Sequence, residues 1–140
     1  MKPIKTVFDT NVYLAAAKRG SYARVQLQRA RLNGPYLLFI SPEIILEIRR
    51  KLELKFGYST KESAMFIDMV MCYARLIQPK EKIAKVLKDT DDHIILECAV
   101  EADAKMIVSA DKGLLRLKGF RGITIIHPTM LQYLFPHKSQ

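Results

Sequence analysis

Short apolar segments alternate along this chain with longer amphipathic ones. The short segments are rich in β-branched or aromatic residues and are bounded by polar and turn residues, as buried strands are. They are Ile4–Phe8, Leu37–Ile40, Arg75–Gln78, Met106–Ser109 and Ile123–Ile126. Strands separated by helices pair in parallel, because each helix carries the chain back across a face of the sheet. The sequence therefore predicts one α/β/α sandwich over residues 1–140, with a mostly parallel sheet of four or five strands.

Helical segments with recognisable ends fill the intervals between these strands. They are predicted at Asn11–Ala17, from Gly20 and Ser21 to Leu32, at Pro42–Phe56, Lys61–Ala74, Asp91–Glu101, Lys112–Leu117 and Pro128–Leu134. Ser41 and Pro42 form an N-cap followed by a proline at the first helical position. Ser59 and Glu62 match a capping box. Residues 119–122 are predicted to be a loop.

The composition excludes several classes of protein. A chain of 140 residues is long enough for one core, and no apolar run approaches the ~20 residues of a membrane span. Met1-Lys2-Pro3 leads directly into the first strand without an apolar leader, so we expect a cytoplasmic protein. Cys72 and Cys98 lie in helical apolar patterns without neighbouring metal ligands, and we expect them to be reduced core thiols.

The net charge favours a polyanionic partner. The chain carries 23 basic and 14 acidic residues, a formal charge of +9. The basic residues occur in groups that include Lys18 with Arg19, the segment from Lys80 to Lys88, and Lys112 with Arg116. A solvated basic surface without a partner has the same composition, so charge alone leaves both interpretations open.

Four acidic residues lie where an apolar segment meets a polar end. Asp9 follows the first strand, and Asp111 comes just after the strand that starts at Met106. Glu47 lies at the margin of the apolar face of its helix, and Asp92 borders the apolar face in the first turn of another. Strand ends and helix N-termini meet at one edge of a parallel sheet, where ligands bind. We expect the four acids to converge there.

Helix capping is the alternative explanation for several of these polar residues. Asp111 and Asn11 each precede or begin a helix and could cap it. Glu43, Asp89 and Asp91 are adequately explained as caps or first-turn acids. Asp9 is harder to explain in this way, because a carboxylate at the end of a buried strand is unfavourable without a partner.

Taken together, these residues resemble the motifs of the PIN-domain ribonuclease family. The similar segments are residues 7–12, 41–48, 89–97 and 107–111, so that the resemblance covers nearly the whole chain. The compact length of the chain and its acidic third motif, residues 89–97, are similar to those of the toxin components of toxin–antitoxin systems. Two positions depart from the usual motif: Thr90 replaces a proline, and Ala110 replaces a glycine.

The resemblance implies a metal-dependent endoribonuclease that uses Asp9, Glu47, Asp92 and Asp111. An all-oxygen ligand set selects Mg²⁺ or Mn²⁺ rather than zinc. Asp9 would be the central ligand, Asp92 and Asp111 would complete the metal shell, and Glu47 would ligate the ion or position the attacking water. The candidates for assisting or substrate contacts are Thr10, Asn11, Ser109, Lys112 and Arg116, followed by Lys18 and Arg19.

Two other functions remain open from the sequence. A haloacid-dehalogenase-like phosphatase would use Asp9 as a nucleophile, although Asn11 stands where that family has a second aspartate. A non-catalytic basic module that binds RNA or a protein partner would use the acids only as caps. The predicted Lys61–Ala74 helix is also rich in methionine, which indicates core packing or, alternatively, a homodimer or antitoxin contact.

Overall fold

A single six-stranded sheet organises the protein. The computed structural model describes residues 2–31, 33–83 and 91–136. The strands are β1 (Ile4–Phe8), β2 (Tyr36–Ile40), β3 (Ala74–Leu76), β4 (Met106–Val108), β5 (Gly119–Phe120) and β6 (Ile123–Ile126). They lie in the order β3-β2-β1-β4-β6-β5, and all neighbouring pairs are parallel except β5 with β6. The predicted α/β class and the mostly parallel sheet are confirmed, with six strands instead of four or five.

Helices fill most of the connections between the strands. They are α1 (Thr10–Ala16), α2 (Tyr22–Gln28), α3 (Pro42–Phe56), α4 (Thr60–Val70), α5 (Asp91–Glu101), α6 (Lys112–Leu117) and α7 (Leu131–Leu134), the last preceded by a 3₁₀ turn at Pro128–Met130. In the middle of the sheet, Val7 and Phe8 point to opposite faces and both are fully buried. Both faces of the sheet are therefore covered, as expected of a parallel sheet.

Several predicted boundaries were wrong, and turn chemistry explains most of them. The second helix ends at Gln28 instead of reaching Leu32, a residue outside the described ranges. Helix α4 ends at Val70, and Ala74 already belongs to β3. Residues 119–122 are not only loop, because a turn with positive φ at Arg121 and Gly122 folds β5 back onto β6. Most of the Lys80 to Lys88 segment, together with Asp89 and Thr90, lies outside the described residues.

The two cysteines differ in their environment. Cys98 is fully buried, and burial raises the pKa of its thiol to about 12, so it stays protonated. The prediction of a core thiol is confirmed there and wrong for Cys72, which is exposed because α4 ends two residues before it. Both thiols are free. Within the described ranges, no helix combines the length and apolarity that crossing a bilayer requires.

Candidate metal centre

Strand register brings Asp9 and Ser109 side by side at the carboxyl edge of the sheet. Phe8 of β1 pairs with Val108 of β4, and each strand ends immediately afterwards. The backbone N–H of Asp9 donates to the Val108 carbonyl over 2.9 Å, which extends the ladder by one bond. The Ser109 hydroxyl then donates to Asp9 Oδ2 over 2.8 Å. An aspartate and a serine 100 residues apart in sequence thus form one buried contact.

Ser109 also joins Asp9 to Asp111. Its hydroxyl oxygen accepts the backbone N–H of Asp111 over 2.9 Å. The Asp111 carboxylate turns toward α6 and accepts the Leu114 N–H over 2.9 Å, so Asp111 caps this helix. The sequence allowed that capping role, and the structure shows it. Capping through Oδ2 is compatible with a second role, because a carboxylate has several lone-pair sites.

The carboxylates of Asp92 and Asp111 both lie near Gly113. A Cβ built on Gly113 would lie 3.0 Å from Asp111 Oδ2 and 3.7 Å from Asp92 Oδ2. Asp92 comes from the first turn of α5 and is only 7% exposed. Because residue 113 has no side chain, the two carboxylates can approach each other from different helices.

Asp9 is the most deeply buried of the four acids. It is 4% exposed, and this burial raises the pKa of its carboxyl above the ordinary value. The hydrogen bond from Ser109 lowers this pKa, and the negative charge of Asp111 raises it further. The backbone N–H of Thr10 and the positive charge of Lys51 have smaller lowering effects. Asp9 and Asp111 lie close together because Ser109 is hydrogen-bonded to both residues.

Glu47 is held by cations of its own helix. Its side chain is 9% exposed, and Oε1 lies 3.1 Å from the Lys51 ammonium. Arg50 lies 3.5 Å from Oε2 on the exposed side. Lys51 was not among the residues predicted from the sequence, although a glutamate followed four residues later by a lysine is a known pairing signal on helices. Its helix packs against α1, which begins directly after Asp9.

The remaining candidates divide into buried and exposed side chains. Thr10 and Ser109 are buried, whereas Asn11, Lys112 and Arg116 are exposed, as are Lys18 and Arg19 beyond the end of α1. A pocket of about 290 Å³ lies next to the acids, lined by Asn11, Val12, Ala15, Ser21, Tyr22, Ala23, Ala110 and Pro128. Asn11 and Ala110 are close chain neighbours of Asp9 and Asp111, so this pocket adjoins the acidic edge.

The donor chemistry fits a hard divalent cation. The four acids supply only oxygen ligands, and the buried Asp9 carboxylate lies beside a second negative charge. Over residues 2–31, 33–83 and 91–136, no group of three or more His, Cys, Asp or Glu side chains has the spacing of an assembled metal site. Within the described residues, hydrogen bonds link Asp9, Ser109 and Asp111. Asp92 and Asp111 both approach the Gly113 position, and Glu47 pairs with Lys51 on its own helix.

A mostly parallel sheet with acids at its carboxyl edge is typical of ligand-binding α/β domains. Comparison with known proteins identifies the family. Residues 5–113 match the family described as PIN domain. The chain belongs to the PIN domain family. No curated protein sequence matches the chain. Family membership argues against the haloacid-dehalogenase-like alternative.

Two solved structures share this fold over most of the chain. One is VapBC2 from Rickettsia felis bound to a DNA fragment from their promoter, with a TM-score of 0.63 and 13% identity over 89% of this chain and 98% of that chain. Another is Mycobacterium tuberculosis VapC20, a sarcin-ricin loop cleaving toxin, with a TM-score of 0.57 and 11% identity over 85% of this chain and 98% of that chain. At such identities the likeness shows the fold.

Proposed function

We propose that this chain is a metal-dependent endoribonuclease that uses Asp9, Glu47, Asp92 and Asp111. The observation that carries the proposal is the hydrogen-bonded chain from the Asp111 N–H through Ser109 to Asp9, with Asp92 facing Asp111 across Gly113. Membership of the PIN domain family supports the same assignment. Residues 1–140 would form a single nuclease domain.

In this mechanism the chain's own residues position the reacting groups. A bound Mg²⁺ or Mn²⁺ would polarise the scissile phosphate and lower the pKa of a water molecule. Asp9, Asp92 and Asp111 would hold the ion, and Ser109 fixes the orientation of Asp9 by donating to Oδ2. Glu47 would ligate the ion or orient the attacking water from α3. Thr10 steadies the Asp9 carboxylate through its backbone N–H.

RNA is the proposed substrate because two exposed basic side chains follow Asp111 on α6. Lys112 directly follows Asp111, and Arg116 lies one turn further along α6, so both exposed cations share a helix face. They would contact backbone phosphates, and Asn11 would hold water or substrate beside Asp9. Mycobacterium tuberculosis VapC20 is described as cleaving the sarcin-ricin loop, which supports RNA as the class of substrate.

A protein partner is the second part of the proposal. VapBC2 is described as bound to a DNA fragment from their promoter, and VapC20 is described as a toxin. We propose that this chain is the toxin of a toxin–antitoxin pair. Leu46, Leu54 and Phe56 on α3 and Met65 on α4 are exposed apolar side chains, which an antitoxin or a second copy of the chain would cover. Light scattering of the purified protein, alone and with its genomic neighbour's product, tests both contacts.

The nuclease assignment predicts that Asp9→Asn and Asp92→Asn each abolish Mn²⁺-dependent cleavage of single-stranded RNA. The loss should exceed the about 10- to 100-fold typical of residues that only support a ligand. Cleavage is measured with Mn²⁺ and with chelator, and circular dichroism checks that the variants stay folded. Asp68→Asn, which changes an exposed aspartate of α4, is the matched control and should keep full activity.

A non-catalytic RNA-binding module is the second candidate. The capping of α6 by Asp111 favours it, because this carboxylate already has a structural role. RNA binding that is indifferent to Mn²⁺ and chelator, together with no cleavage by the wild type, would establish the module instead of the nuclease.

A further inference from the structure

Lys51 is a largely buried cation beside Glu47. Its side chain is only 15% exposed, and its ammonium lies 3.1 Å from Glu47 Oε1, itself on a side chain that is 9% exposed. Most glutamate–lysine pairs one helical turn apart are solvated, and water and salt weaken their attraction. Removing one partner of an enclosed pair leaves an uncompensated charge.

The helix that carries this pair lies close to the strand edge. Helix α3 packs against α1, which begins directly after Asp9. Arg50 also pairs with Glu47, but at 3.5 Å and with a side chain that is 53% exposed.

We propose that Lys51 is the internal counterion of Glu47, and that it competes with the divalent cation for this carboxylate. This inference rests on the proposed metal site. A single ammonium supplies one charge where a divalent ion would supply two, so it only partly neutralises the acids when no metal is bound. Ligation of the ion by Glu47 then requires this carboxylate to exchange its contact with Lys51. Lys51 would therefore set how much metal is needed to activate the site.

Metal affinity gives the first test. Lys51→Met keeps the aliphatic chain and removes the charge, and we expect Mn²⁺ to bind about tenfold more tightly by isothermal titration calorimetry, since a neighbouring positive charge is lost. Lys51→Arg keeps a charge and should retain an affinity near that of the wild type. Arg50→Met is the matched control, because it removes the exposed cation from the same glutamate, and it should change the affinity by less than about twofold.

Stability in chelator gives a second test that needs no metal. Lys51→Met should lower the melting temperature by several degrees, because it leaves Glu47 without its closest cation. The double variant Glu47→Gln/Lys51→Met has no unpaired charge at this contact and should recover most of the loss. A double-mutant cycle over these variants measures the coupling between the two side chains directly.

The possible results separate this inference from the proposed function. Tighter Mn²⁺ binding by Lys51→Met, together with coupling in chelator, supports the inference. If the wild type binds Mn²⁺ while Lys51→Met binds it no more tightly, or if the cycle shows no coupling, the role of Lys51 is overturned and the nuclease proposal stands. A wild type that binds no Mn²⁺ overturns the proposed metal site, and competition by Lys51 fails with it.

Discussion

Ser109 satisfies two polar groups at once, which makes it the most constrained side chain of the candidate site. It is fully buried, donates to Asp9 Oδ2 and accepts the Asp111 N–H. A buried hydrogen bond contributes little net free energy when both partners are present, but leaving a partner unsatisfied costs more. The hydroxyl therefore determines where both aspartates lie.

Ser109→Ala should destabilise the protein by about 1 to 3 kcal/mol, because it leaves the Asp111 N–H without its partner and removes one of the donors to the Asp9 carboxylate. Urea unfolding measures this loss, and thermal melts with and without Mn²⁺ should show a smaller metal-induced rise than in the wild type. Ser59→Ala is the control, since it removes an exposed capping box. It should cost about 1 kcal/mol and leave the metal response unchanged. Equal metal responses in the two variants would contradict a positioning role for Ser109.

The raised pKa of Asp9 predicts how the stability of the metal-free protein depends on pH. A carboxyl with a folded pKa above its unfolded value binds more protons in the folded state, so stability is lost as pH rises from 3.8 through the folded pKa. Asp9→Asn cannot ionise and keeps an acceptor for Ser109. In chelator at neutral pH this variant should be more stable than the wild type, and the difference should shrink as the pH falls through that window.

Urea unfolding across the acid range measures this difference. Asp68→Asn controls for the general effect of removing one negative charge from the surface. A variant at Asp9 that is less stable than the wild type at neutral pH would show that the carboxylate is stabilised by its surroundings, and would remove the physical reason to expect a cation beside it.

Among the helices and strands, the helix ends that a capping side chain determines were predicted correctly from the sequence. Ser41 accepts the Ile44 N–H at the start of α3, and Ser59 and Glu62 form the expected capping box. The end of α2 and the short β5 were not predictable in this way. A two-residue strand has no periodicity, and β5 exists because the following turn aligns it with β6.

The candidate site was predictable only in part, for a similar reason. Asp9 and Asp111 could be placed at one sheet edge because the alternation of strands and helices predicts parallel strands, whose carboxyl ends share an edge. The Ser109 contact depends on the register of β1 against β4, which the sequence does not specify. The spacing of Glu47 and Lys51 along one helix shows that they can pair. It does not show that the pair is enclosed, with side chains only 9% and 15% exposed, because that depends on the packing of α3.

Alanine substitutions at Gly113 and Gly57 distinguish an effect on the acids beside α6 from a general loss of stability. Alanine at Gly113 favours the helix by about 1 kcal/mol in propensity, but its Cβ would lie 3.0 Å from Asp111 Oδ2 and 3.7 Å from Asp92 Oδ2. We expect Gly113→Ala to weaken the Mn²⁺-induced rise in melting temperature and to slow RNA cleavage. Its stability in chelator should fall by less than that of Gly57→Ala.

Gly57→Ala is the matched control for this prediction. Gly57 ends α3 with a φ of +71°, and nothing lies within 4 Å of its added Cβ. The substitution therefore strains the backbone without touching the acids, and should cost about 1 kcal/mol while the metal response stays intact. An unchanged metal response in Gly113→Ala would mean that Asp92 and Asp111 do not act on a common ion.

In the whole molecule, the candidate site is rich in acidic side chains, whereas the rest of the chain carries a net positive charge. The formal net charge is +9 although four acids are assigned to the edge of the sheet. Lys112 and Arg116 are exposed beside that edge, and Lys18 and Arg19 follow α1. A negative centre surrounded by cations suits a polyanion whose reacting phosphate approaches a metal while its other phosphates meet basic side chains.

RNA affinity should therefore depend steeply on salt, even without catalysis. Asp9→Asn in chelator allows binding to single-stranded RNA to be measured without cleavage. About four phosphate contacts would give a slope near −3 in log affinity against log salt, because each contact releases about 0.7 counterions from a single strand. Adding Lys112→Gln or Arg116→Gln should each reduce the slope by about 0.7, whereas Lys61→Gln, at an exposed lysine of α4, should leave it unchanged. A flat salt profile, or equal effects at all three positions, would contradict a phosphate-binding role for α6.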